Sequence, residues 1–194
     1  MKRLEFWYDF ASTYSYLSAM RIEAMAAERG VEVVWRPFLL GPIFQSQGWT
    51  TSPFNLYPAK GAYMARDMER LCAARGLGFR LPDPFPQNSL YAARLGLIAA
   101  EDGWAPAFTR AVYTAEFAGG VTISDKAALA GIVSSLGRDA DDLMQRIETP
   151  EVKARLKAQG EAAAERKLFG APSFITAAGE LFWGDDRLEQ ALDW

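Results

Sequence analysis

The chain has 194 residues, half of them hydrophobic and 23% charged, with a formal net charge of −3. That is enough apolar material for a substantial core and too little charge bias for a disordered chain or a general nucleic-acid surface. The single cysteine, Cys72, excludes an internal disulfide framework, and the absence of histidine excludes HExxH zinc sites, Ser-His-Asp triads and imidazole acid–base catalysis.

In chain order, residues 3–8 read as a buried strand and residues 31–36 as a second. Between them, apolar positions at Tyr16, Leu17, Met20, Ile22, Ala24 and Met25 predict one helix from about Thr13 to Arg29, ended by Gly30 as a C-cap. A helix between two neighbouring strands predicts a parallel pair. From Leu39 to about Pro58 the chain is rich in Gly, Pro, Gln, Ser and Asn, which predicts a long loop.

Residues 60–75, about 90–102, 104–117, 124–136, 139–147 and 150–168 carry helical spacing, with Ser124-Asp125 and Thr149-Pro150-Glu151 as starts. Residues 173–184 read as two short strands turning at Ala178-Gly179, followed by a final helix from Asp186. Mixed α/β elements at both ends therefore bracket a helical block, expected to form a discontinuous domain (1–40 and 165–194) with a loop-and-helix insertion (41–164). No apolar run approaches the roughly 18 residues of a membrane span. The opening Met1-Lys2-Arg3-Leu4-Glu5-Phe6 has no signal-peptide core, so the expectation is a cytoplasmic protein without membrane or nucleic-acid partners.

Ser12 falls where the first strand gives way to a helix. A hydroxyl there is either a plain N-cap or a hydrogen-bond donor to an anion held at the helix start. With no histidine and no nearby lysine to take its proton, Ser12 is not itself a strong nucleophile. Ser15, one turn along, is expected to bond back to the helix backbone. Cys72 shares a helical face with Met64, Met68 and Leu71 and reads as a buried thiol. The aromatics Phe44, Trp49, Phe54 and Tyr57 either line an apolar cavity or anchor the loop, and Asn88 is a candidate polar wall before the next helix.

The segments 9–17, 165–173 and 182–188, with a weaker fourth at 60–70, occur in an order that resembles the DsbA-like branch of the thioredoxin fold. More closely, they resemble the 2-hydroxychromene-2-carboxylate isomerases and the related kappa-class glutathione transferases. The resemblance implies a thioredoxin-like domain with an inserted all-helical domain, in which Ser12 and Ser15 occupy the two CxxC positions, so a dithiol oxidoreductase is excluded. It implies glutathione as cosubstrate, with its sulfur at Ser12 and its cysteinyl part along Ala171 and a cis Pro172. The γ-glutamyl end would meet Trp183, Gly184, Asp185 and Asp186, and a carboxylate would meet Lys60. Asn55, Phe44 and Asn88 would face a small aromatic substrate, and a homodimer is expected. Two departures stand out: Thr13 replaces the proline usual after the serine, expected to loosen that turn or offer an extra hydroxyl. Asp185 replaces an asparagine, expected to place a second negative charge beside Asp186. The alternatives are a kappa-like transferase or peroxidase and a non-catalytic thioredoxin-like binding module.

Overall fold

The computed structural model describes residues 2–194. Four strands form one mixed sheet in the order β2-β1-β3-β4: β1 (Lys2–Tyr8), β2 (Val31–Pro37), β3 (Ser173–Thr176) and β4 (Leu181–Trp183). β1 and β2 pair in parallel, as a βαβ unit requires, while β3 runs antiparallel to both β1 and β4. Gly30, at φ 64°, and Gly179, at φ 84°, supply the left-handed turns before β2 and between β3 and β4.

β1 is apolar on both faces at its C-terminal end, where helices cover both, while Arg3 and Glu5 share the Trp7 face toward its start. Leu4, Phe6 and Tyr8 join the larger core with Phe10, Tyr16, Phe108 and Phe117. Trp7 points the other way and packs with Phe38, Ile43, Ala163, Leu168 and Ile175. A strand's two-residue period puts these sets on opposite sides.

The predicted first helix is two helices, α1 (Thr13–Ala19) and α2 (Ile22–Glu28). At the break Arg21 has φ −131° and ψ −21°, outside the helical range, and its guanidinium reaches Asp185 after β4. The apolar spacing runs through the break because both helices cover the same face.

The predicted loop after β2 also differs. It contains α3 (Leu40–Ser46) and α4 (Pro53–Leu56). Pro53 stands at the first turn of α4 and the Ser52 hydroxyl accepts the Phe54 N–H, so residues that read as loop punctuation here start a helix.

The remaining helices are α5 (Pro58–Ala74), α6 (Leu90–Glu101), α7 (Ala105–Tyr113), α8 (Lys126–Ser135), α9 (Ala140–Arg146), α10 (Pro150–Glu165) and α11 (Leu188–Asp193). A π-helical turn, Thr114–Ala118, continues α7, and a 3-10 turn, Asp185–Arg187, precedes α11. Asp125 and Thr149 cap α8 and α10 with their side chains, as their sequence positions predict. No helix among the described residues is long and apolar enough to cross a membrane.

Candidate active site

Ser12 is the N-cap of α1, in extended conformation, and its Oγ accepts the Ser15 N–H at 3.2 Å. The same hydroxyl donates to the Ala171 carbonyl at 3.1 Å. The Ala171–Pro172 bond is cis, and the Pro172 carbonyl accepts the Gly184 N–H at 3.0 Å. Three separate stretches of sequence thus meet at one place: the helix start, the segment before β3 and the turn after β4. The N–H groups of Ala171, Asp185 and Asp186 have no hydrogen-bond partner among the described residues. Gly184, at φ 106°, allows the chain to turn tightly there.

Trp183 is exposed on β4, its indole Nε1 lying against Gly170 and its ring 5.0 Å from Phe169. Asp186 is exposed beside Arg187. Asp185 behaves differently from its neighbour. It is 4% exposed, and its Oδ1 accepts the Ser18 hydroxyl at 2.9 Å and the Arg21 guanidinium at 3.3 Å. Its Oδ2 accepts from Arg75 at 2.7 Å.

Residues 3–193 match the family of the DSBA-like thioredoxin domain. The chain belongs to this family. Among curated proteins, the DSBA-like domain is 28% identical to a 2-hydroxychromene-2-carboxylate isomerase of Sphingobium xenophagum over 97% of this chain and 95% of that protein. It is 26% identical to the human glutathione S-transferase kappa 1 over 97% of this chain and 88% of that protein. A solved 2-hydroxychromene-2-carboxylate isomerase superposes with a TM-score of 0.87 at 24% identity, covering 97% of this chain and 91% of that one, which establishes the shared fold.

The DSBA-like domain corrects several expectations. Asp185 does not offer a negative charge to a ligand, because two guanidiniums and a hydroxyl take up its carboxylate. Thr13 Oγ1 is buried without a partner, so it adds no hydroxyl to the surface of the site. Ser15 Oγ is also buried and unpartnered, and its backbone N–H, rather than its side chain, serves the helix start.

Asn55 is committed to holding the chain, donating to Thr51 Oγ1 and to the Phe85 carbonyl. Asn88 Oδ1 accepts the Leu90 N–H at the start of α6. Phe44 packs half-buried on Trp49, 5.6 Å between centroids. Lys60 is exposed in the first turn of α5 and makes no ion pair among the described residues. The structure brings Ser12, Ala171, Pro172 and Gly184 together directly. Phe54, in α4, reaches α1 through its ring on Tyr14, 6.4 Å between centroids, while Asn55 and Lys60 make no hydrogen bond to Ser12 or Ala171 among the described residues. A cavity of about 670 Å³ lies along β2 between α6 and α10, and none of these residues lines it.

Sequence reasoning passed over Asp9. This buried carboxylate accepts the Ala11 N–H (2.9 Å), the Leu40 N–H (2.7 Å) and the Ser89 hydroxyl (2.6 Å), tying together the loops before α1, α3 and α6. Its backbone carbonyl accepts the Ser12 N–H at 2.9 Å and the Tyr113 hydroxyl at 2.7 Å. Burial raises its carboxyl above the ordinary aspartate range, and the three hydrogen bonds oppose that rise. The signal available was a carboxylate directly after an apolar strand, a placement that calls for buried partners.

Proposed function

We propose that this DSBA-like domain is a glutathione-dependent isomerase that interconverts 2-hydroxychromene-2-carboxylate, or a related aromatic-degradation intermediate, with its open-chain trans-o-hydroxybenzylidenepyruvate. The observation that carries the reading is the Ser12 hydroxyl aimed at Ala171, at a strand-to-helix junction where both CxxC positions are serines. The names of the similar curated proteins support the reaction and the cosubstrate.

The chain's own donors fit a peptide thiol. Ala171 N–H and C=O can pair with the cysteinyl part as an added strand. The uncommitted N–H groups of Asp185 and Asp186 suit a carboxylate, and the exposed Asp186 carboxylate suits an ammonium. Ser12 then turns its proton from the Ala171 carbonyl to the incoming sulfur, and a charge-assisted bond replaces a neutral one. The hemiketal ring opens, its C2–O bond breaking as the C2 hydroxyl proton passes to the phenolic oxygen and a ketone forms. Bound glutathione would then supply the nucleophile, a thiolate that adds to the conjugated carbon, so that the former double bond rotates as a single bond and reforms in the trans geometry when the thiolate leaves. Trp183, Phe44 and the α4–α5 wall exclude water and orient the ring, with Lys60 placed for a carboxylate. In this reading the helices of residues 41–164 form the substrate side of the site, and the working form is a cytoplasmic homodimer.

Calorimetric titration with reduced glutathione and with S-methylglutathione tests the reading. One-to-one binding that Ser12→Ala weakens for glutathione more than for the S-methyl derivative is expected. No binding at millimolar glutathione would refute it and leave the binding-module alternative. A stable conjugate in place of isomerised product would mark a kappa-like transferase.

A further inference from the structure

Glu116 has no exposed surface, and neither carboxyl oxygen has a hydrogen-bond partner among the described residues. It lies in the π-helical turn Thr114–Ala118, a kind of local widening common at functional places in helices. Three residues earlier, the Tyr113 hydroxyl bonds the Asp9 carbonyl, the same oxygen that accepts the Ser12 N–H. Glu116 is therefore about one turn from a side chain that shares an acceptor with Ser12. The π-helical turn packs on α1, whose Thr13 and Ser15 hydroxyls are likewise buried and unpartnered.

An ionised Glu116 would have no cation within ion-pair distance among the described residues. The charge acting on it is the Asp9 carboxylate. Asp9 has three donors around it, the environment of an anion, while Glu116 has none, the environment of an acid. Burial, and after it the Asp9 charge, holds the Glu116 carboxyl well above the usual 4.5. The other titratable groups nearby are the phenols of Tyr8, Tyr16 and Tyr113, all raised by burial and so neutral. Arg80 bonds the Phe117 carbonyl through its N–H and runs its guanidinium along Gly120.

We propose that Glu116 is kept as a neutral carboxylic acid, leaving the interior behind Ser12 free of a second negative charge, and that loss of its proton weakens the site's hold on a thiolate. The second half rests on the glutathione reading above; the first does not. Glu116 touches no substrate. It acts through the field at the sulfur, and its proton leaves to solvent as the pH rises.

The test begins with ligand-free protein. Infrared spectra across pH read the carbonyl stretch of a protonated carboxylic acid, and Glu116→Gln assigns it. A band present at neutral pH and lost in Glu116→Gln is expected; its absence from the wild type overturns the proposal. Glutathione affinity and thiolate absorbance are then followed over the same range. The wild type should lose about tenfold in affinity, the equivalent of one pKa unit, at the midpoint where the acid band disappears, while Glu116→Gln shows no such step. Identical profiles overturn the electrostatic role. If Glu116→Gln fails to fold, the wild-type band and affinity must still share one midpoint, and separate midpoints overturn the role. A wild type that binds no glutathione overturns the functional reading, whereas the acid band is read without ligand.

Discussion

The Ser12 hydroxyl donates to the Ala171 carbonyl across 159 positions of sequence, so the helix start and the segment before β3 are held by one side chain. The same oxygen caps α1 through the Ser15 N–H. Ser12→Ala removes the cap and leaves a carbonyl without its donor. The expected loss is about 2 kcal/mol, the sum of a typical cap and one hydrogen bond, read from urea denaturation with an unchanged slope.

Asp185 sits between Arg21 and Arg75, with Ser18 as a third donor. Asp185→Ala leaves two largely buried guanidiniums without their anion and should cost about 3 kcal/mol. Asp185→Asn keeps an acceptor for Ser18 and should cost less. In the double variant Arg75→Met with Asp185→Ala, part of the loss should return, and a coupling energy near zero would contradict the ion cluster.

Glu116 makes a pH prediction with a definite sign. Its folded pKa lies above the unfolded value of about 4.5, so the native state retains a proton that the unfolded chain gives up. Its contribution to stability is full below about 4.5 and falls as the pH rises toward the folded value. Thermal midpoints of the wild type should therefore decline relative to Glu116→Gln over that window, and parallel curves would count against burial of an acid.

Cys72 is buried, and burial pushes its thiol up to about 11. A thiol reagent at neutral pH should modify it only as fast as the protein opens, and at least a hundredfold faster in denaturant, on the order expected for a domain of ordinary stability. Fast modification of the native protein would show that the Cys72 face of α5 is not packed against the larger core.

The fold was legible because each strand and most helices carry their own pattern. Trp7 among alternating apolar residues, Asp125 and Thr149 at helix starts, and Gly179 in the hairpin each act locally. The break at Arg21 was not legible, since the residue its guanidinium bonds, Asp185, lies 164 positions away. For the same reason Asp185 read as a surface anion: its buried partners Arg21 and Arg75 come from other elements. Ser12 and Ala171 were identified by family resemblance, not by local chemistry, because a lone serine cap and an alanine before proline are ordinary alone. Glu116 gave no signal, as a single glutamate in a helical stretch is normally on the solvent face.

The order β2-β1-β3-β4 has a consequence for the chain as it is made. β1 is finished by Tyr8 and gains β2 within the next 29 residues, but its other neighbour, β3, begins only at Ser173. Throughout synthesis of the intervening helices, one edge of β1 and the Phe6 surface that will meet Phe174 wait uncovered. An open strand edge beside exposed aromatics invites pairing with another nascent chain. Ribosome-bound chains stopped before β3 should accordingly recruit chaperones and aggregate, and those extended past β4 should not.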